Sequence, residues 1–194
     1  MRKSRLRAIT TRYKNHSFRS RLEARYAVYF DHLGIKWEYE PEGFELGNGL
    51  RYLPDFWLPE WGIFIEVKPT APDDAGMEKA RRLAFDHSAV VIMVGEPKAE
   101  HCSGNVFYGW DSGESSAGFT DGRDAGFFAD VGGKLHLEVD WTSSKMYFAA
   151  ESLGELEPLD TFDKTDDVCW RRAEDAVRAA LSARFEFGAN GGAQ

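Results

Sequence analysis

The chain of 194 residues has little cysteine, only Cys102 and Cys169. Neither sits in a CxxC pair or a Cys/His cluster, which excludes the common structural zinc patterns and a disulfide scaffold. The five histidines, His16, His32, His87, His101 and His136, show no HxH or HxxxH spacing, so no role is assigned to them. Long apolar runs are also missing. None approaches the roughly 20 residues that span a bilayer, and the opening MRKSRLRAIT carries charges with no apolar segment after them. The expectation is a cytoplasmic protein with no membrane partner. Internal repeats and low-complexity tracts are absent as well.

What is present is an apolar content of 43%, with 14% aromatic residues, enough for one domain with a real core. The net charge of −8 hides an asymmetry. Residues 1–25 hold nine cations (Arg2, Lys3, Arg5, Arg7, Arg12, Lys14, Arg19, Arg21, Arg25) against one acid, Glu23, and the remaining residues carry −16. A basic segment on an acidic body can meet a phosphate backbone locally while the rest repels it. A solvated tail has the same composition.

Residues 1–16 lack periodicity and read as a basic N-terminal arm. From Ser17, Phe18, Leu22, Tyr26, Tyr29 and Leu33 recur at helical spacing, and Gly34 supplies a stop. IKWEYE alternates as a half-buried strand. Asn48-Gly49 marks a hairpin between strands around Phe44 to Leu46 and Leu50 to Leu58. Pro59 to Gly62 then turns the chain into Ile63 to Lys68. Residues 74–87 read as a helix leading to AVVIMVG, an uninterrupted apolar run typical of a strand covered on both faces. Strand, helix, strand implies a right-handed parallel crossover, hence an α/β fold with a mixed sheet flanked by helices. Residues 17–97 would form this core. Residues 98–194 read as a β-rich extension packed on it, with strand candidates NVFYGW, KLHLEVDW and KMYFAA and a closing helix over Thr165 to Phe185.

The hairpin holds the chemistry. Closing it through Glu60-Trp61, or equally through Pro59 to Gly62, pairs Leu58 with Ile63 and sets Asp55 opposite Glu66, where Cβ atoms stand about 4.5–5.5 Å apart. Lys68, two residues on, projects to the same side. Ile63, Ile65 and Val67 point the other way and Phe64 flanks the acids, so two carboxylates in apolar surroundings resist ionising together. A divalent cation relieves that conflict. Two carboxylates near the Val67 carbonyl form the hard oxygen set that Mg²⁺ or Mn²⁺ accepts. The ammonium of Lys68 suits charge developing on a phosphoryl group. A Glu/Lys pair on an exposed strand face is the plainer alternative.

Pro54-Asp55 and Glu66-Val67-Lys68 resemble the "PD" and "EXK" elements of the PD-(D/E)XK nuclease superfamily, over roughly residues 17–95. The resemblance implies a restriction-endonuclease-like core and metal-dependent hydrolysis of phosphodiesters. Asp55, Glu66, Val67 and Glu23 would serve the metal and Lys68 would orient the attacking water. Glu23 also fits a capping box, Ser20-Arg21-Leu22-Glu23, in which it would only bond back to the Ser20 N–H, whereas a cap at Ser17 would leave it free. DNA is the expected partner, met by Arg12, Lys14, Arg19, Arg21 and Arg25, with further phosphate contacts open to Arg81 and Arg82. No base-reading motif is present, which points to structure-directed or weakly selective cleavage in the manner of phage resolvases or transposon end-cleaving subunits. RNA cleavage and a catalytically silent nucleic-acid-binding scaffold are the alternatives. A homodimer, with Trp110, Trp141 or Trp170 at its interface, would fit cutting of both strands.

Overall fold

The computed structural model describes residues 10–98, 103–107, 125–131, 134–141, 144–149, 168–169 and 171–187. Its first helix, α1 (Arg21–Leu33), starts at Ser20, whose side chain accepts from the Glu23 N–H. At the other end Gly34 takes a left-handed φ of 73°, with Gly34 N donating to Asp31 O and Ile35 N to Phe30 O, the paired bonds of a Schellman cap. The helix therefore begins four residues after the expected Ser17. Phe18 belongs instead to β2 (His16–Phe18), which pairs with β1 (Thr11–Tyr13).

That hairpin corrects the expected arm. From Thr11 on the N-terminal segment is built into the fold, with Thr11 and Phe18 buried and β1 also pairing with β14 (Glu186–Phe187) near the other end of the chain. Residues 1–9 lie outside the described residues, as do Cys102, Trp110 and Trp170 and the side chain of Trp141.

The main sheet has the order β3 (Glu38–Tyr39), β6 (Phe56–Leu58), β7 (Ile63–Lys68), β8 (Val90–Val94), β9 (Ser103–Phe107). All neighbours are antiparallel except β7 and β8, which are parallel and joined through α2 (Asp74–Asp86), so the expected crossover and mixed sheet stand. Because β9 joins this sheet, the sheet runs past the boundary expected at residue 97. The expected strand Leu50 to Leu58 is split into β5 (Arg51–Tyr52) and β6: Pro54 has no N–H for a ladder, and the segment around it bends. β5 pairs instead with β4 (Phe44–Glu45) through the expected Asn48-Gly49 turn, where φ is 52° and 74°. Three more strands, β10 (Ala125–Val131), β11 (Lys134–Trp141) and β12 (Ser144–Ala149), form an antiparallel sheet with β13 (Val168–Cys169).

Two apolar layers hold the main sheet. Alternation along β7 sends Ile63, Ile65 and Val67 towards α1 and α3 (Arg171–Ser182), whose Ala176 and Ala180 let it lie close to α1. Phe64 faces the other way, with Val90 and Ile92, against Leu83 and Ala84 of α2 and against Leu46 and Tyr52 of the β4–β5 hairpin. Arg172 of α3 donates to the Leu33 carbonyl, tying the two helices at the α1 C-terminus. Leu181 is exposed, because α3 buries a stripe of alanines one position away.

Candidate functional site

The loop between β6 and β7 has four residues, with Trp61 N and Gly62 N both donating to Leu58 O and Gly62 at a φ of 62°. The ladder runs Leu58 to Ile63, Trp57 to Phe64 and Phe56 to Ile65, the register expected from the sequence. One step further, beyond the last ladder pair, stand Asp55 and Glu66. Both are buried, 3% and 5% exposed, at the floor of a cleft of about 720 Å³ that also takes in Glu23, Val67 and Lys68. The sequence-predicted acids and lysine are thus brought to one place.

Each acid is anchored differently. Asp55 Oδ2 accepts the Val67 N–H at 2.8 Å, and its Oδ1 pairs with Arg19 Nη2 at 3.0 Å. A strand residue sends its N–H and C=O from the same edge, so the Val67 carbonyl leaves β7 on the Asp55 side. Glu66 Oε1 pairs with Lys68 Nζ, while Glu66 Oε2 is buried and accepts no hydrogen bond among the described residues. The Lys68 backbone is held by Gly95, whose N–H donates to Lys68 O at 2.8 Å and whose carbonyl accepts from Tyr26 of α1.

Electrostatics follow from that burial. Loss of water, and next the charge of Glu66, push the Asp55 carboxyl up to about 7, against the lowering pull of the Val67 N–H. Beneath the acids, Tyr52 is raised well above its usual value by burial and then by the neighbouring Glu66 carboxylate. Such perturbation in a cleft is characteristic of functional groups.

Glu23 is more committed than the sequence suggested. Its Oε1 accepts from Ser20 Oγ at 2.7 Å, and its Oε2 accepts from Tyr39 Oη at 2.6 Å and from the Arg19 N–H at 3.1 Å. Ser20 is the N-cap, so the capping interaction is present in altered form: the carboxylate bonds to the N–H of Arg19 rather than that of Ser20. It still lies close enough to Asp55 to raise its pKa. Among the described residues no three His, Cys, Asp or Glu side chains form a ready-made metal-binding group.

The basic residues scatter. Arg19 reaches into the cleft, where Glu40 Oε1 holds its Nε at 2.5 Å in addition to the Asp55 contact. Lys14 pairs with Asp31, and Arg25 with Glu96. Arg12 and Arg21 are exposed on β1 and α1. Arg81 and Arg82 both pair with Glu78 of their own helix.

Sequence reasoning missed Tyr39, Glu40, Arg51, Tyr52 and Lys79. Tyr39 and Glu40 adjoin the cleft from the end of β3, and Glu40 holds a left-handed φ of 46° that few non-glycine residues adopt. Glu40 N donates to Asp55 O, which ties that bend to the site. The one available signal was the acid-aromatic alternation EYE running straight into Pro41. Arg51, Tyr52 and Lys79 line the cleft from β5 and α2. No family model and no curated protein matches this chain.

Proposed function

We propose that the chain is a metal-dependent nuclease hydrolysing phosphodiester bonds of DNA on a restriction-endonuclease-like core, as the PD-(D/E)XK resemblance implies. The observation that carries this reading is the buried pair Asp55 and Glu66, with Glu66 Oε2 accepting no hydrogen bond among the described residues, beside the Lys68 ammonium. A buried anionic oxygen with no partner is costly, and hard oxygen donors suit Mg²⁺ or Mn²⁺. Asp55, Glu66 and the Val67 carbonyl would hold the ion, with Glu23 as a supporting charge.

When bound, the ion supplies Lewis-acid polarisation of the phosphoryl group. The protein's own part is orientation and charge. The Val67 N–H fixes the Asp55 carboxylate in one rotamer. Lys68, tethered through its backbone to Gly95, directs its ammonium to the attacking water and to the charge that grows on the phosphate. Phe64 and Tyr52 exclude water from beneath Glu66.

Relaxation of supercoiled plasmid in Mg²⁺ and in EDTA tests the proposal. Nicking in Mg²⁺ alone, lost in Asp55→Ala, is expected. Intact plasmid, branched DNA and single-stranded RNA in Mg²⁺ would contradict it, and cutting of the RNA alone would change the substrate. A second reading, nucleic-acid binding without hydrolysis, draws on one observation: the protein's own groups already engage each acid, Arg19 on Asp55, Lys68 on Glu66 and Tyr39 on Glu23. It requires DNA binding with no nicks in any metal.

A further inference from the structure

We propose that Arg51 and Lys79, rather than Lys14, Arg19 and Arg25 of the N-terminal segment, carry the backbone phosphates of DNA past the cleft. This rests on the nuclease reading and names the contacts that its substrate makes.

Charge pairing separates the cations around the cleft. A cation already held by a carboxylate must break that pair before it meets a phosphate, whereas an unpaired one exchanges only solvent counterions. The N-terminal cations with described partners are held: Lys14 by Asp31 at 2.7 Å, Arg25 by Glu96, and Arg19 by Glu40 at 2.5 Å and Asp55 at 3.0 Å. On α2, Arg81 and Arg82 share Glu78. Arg51 and Lys79 differ. Both line the cleft, and neither meets an acid among the described residues.

Their elements aim them well. Arg51 is exposed on β5 and lines the cleft. Lys79 is half-buried on α2, three and four residues after Gly76 and Ala75, which line the same cleft, so all three share one helix face. The acid on that wall, Asp73, is occupied in capping α2 through the Gly76 N–H at 2.9 Å. Within the cleft Arg19 and Lys68 are offset by Asp55 and Glu66, which leaves Arg51 and Lys79 as cations with charge to spare on a chain whose net charge is −8. Together they mark a phosphate track over the α2 and β4–β5 side of the site, on the other face of the sheet from α1.

The test is binding of fluorescently labelled duplex DNA, followed by anisotropy across a NaCl series in Ca²⁺. Each phosphate contact contributes about 0.9 to the slope of log K against log salt. Arg51→Gln with Lys79→Gln should flatten the slope by about two such contacts, and each single change by about one. Lys14→Gln and Arg25→Gln should leave it unchanged. Thermal melting should match wild type for Arg51→Gln and Lys79→Gln, since neither side chain has an acidic partner to lose among the described residues. A wild-type slope in the double variant, or flattening confined to Lys14→Gln and Arg25→Gln, overturns the assignment while the nuclease reading stands. Absence of salt-dependent binding by the wild type overturns both.

Discussion

Phe56 and Asp55 are consecutive residues, 0% and 3% exposed, and burial does opposite things to them. Phe56 turns its ring among Phe18, Phe30, Trp37 and Tyr39, at centroid distances of 5.5–6.1 Å in tilted and edge-on arrangements that aromatic rings favour. Asp55 turns the other way, into the cleft, where loss of water and the Glu66 charge make its ionised form unfavourable. One side of this hairpin is organised for stability. The other keeps a carboxylate whose ionised form burial disfavours, a group that stability alone would replace.

Removing each side chain should therefore give effects of different kind. Phe56→Ala should cost about 3–5 kcal/mol in urea unfolding, from lost transfer energy and the cavity left behind. A loss under about 1 kcal/mol would mean that the aromatic cluster collapses around the gap. Next in size, Lys68→Ala should lower plasmid cleavage by about 10²–10³-fold while Mn²⁺ still binds. Cleavage at the wild-type rate would remove Lys68 from the mechanism.

The pH dependence sharpens the contrast. In the metal-free protein Asp55 titrates near 7 when folded and near 3.8 when unfolded, so the folded state holds the proton more tightly. The stability it contributes is complete below about pH 4 and lost as pH rises through about 7. Wild type should lose stability across that window relative to Asp55→Asn, and parallel profiles for the two would contradict the shift. Arg19→Ala should tighten Mn²⁺ binding severalfold, because the guanidinium on Asp55 Oδ1 competes with a metal; weaker binding would make Arg19 a support rather than a competitor. The smallest effect is expected of Glu23→Gln, about 1 kcal/mol or less in stability if its role is capping. A large fall in cleavage at unchanged melting would instead assign Glu23 to the metal.

Much of the site was legible because it rests on local rules. The Leu58–Ile63 pairing follows from a four-residue loop, and period-two alternation then brings Asp55, Glu66 and Lys68 to one end. The Gly34 stop and the parallel β7–β8 crossover are equally local signals. The β1–β2 hairpin was not legible: its strands have three residues each and bury only Thr11 and Phe18, too few for alternation to show, and its pairing with β14 joins distant segments. Charge fared similarly. Counting along the chain grouped the N-terminal cations, but Arg19, Lys14 and Arg25 find acids in Glu40, Asp31 and Glu96 that only tertiary folding brings to them. The capping half of the Glu23 question was visible as S-x-x-E, while its bond to Tyr39 spans 16 residues and was not.

Whether Asp55 and Glu66 together bind a divalent cation is decided by calorimetric titration of Mn²⁺ into the wild type and into Asp55→Ala and Glu66→Ala at pH 7.5. Saturable heat is expected for the wild type, and both substitutions should abolish it. Wild-type protein that is folded and gives no heat, or variants that retain it in full, would contradict such binding.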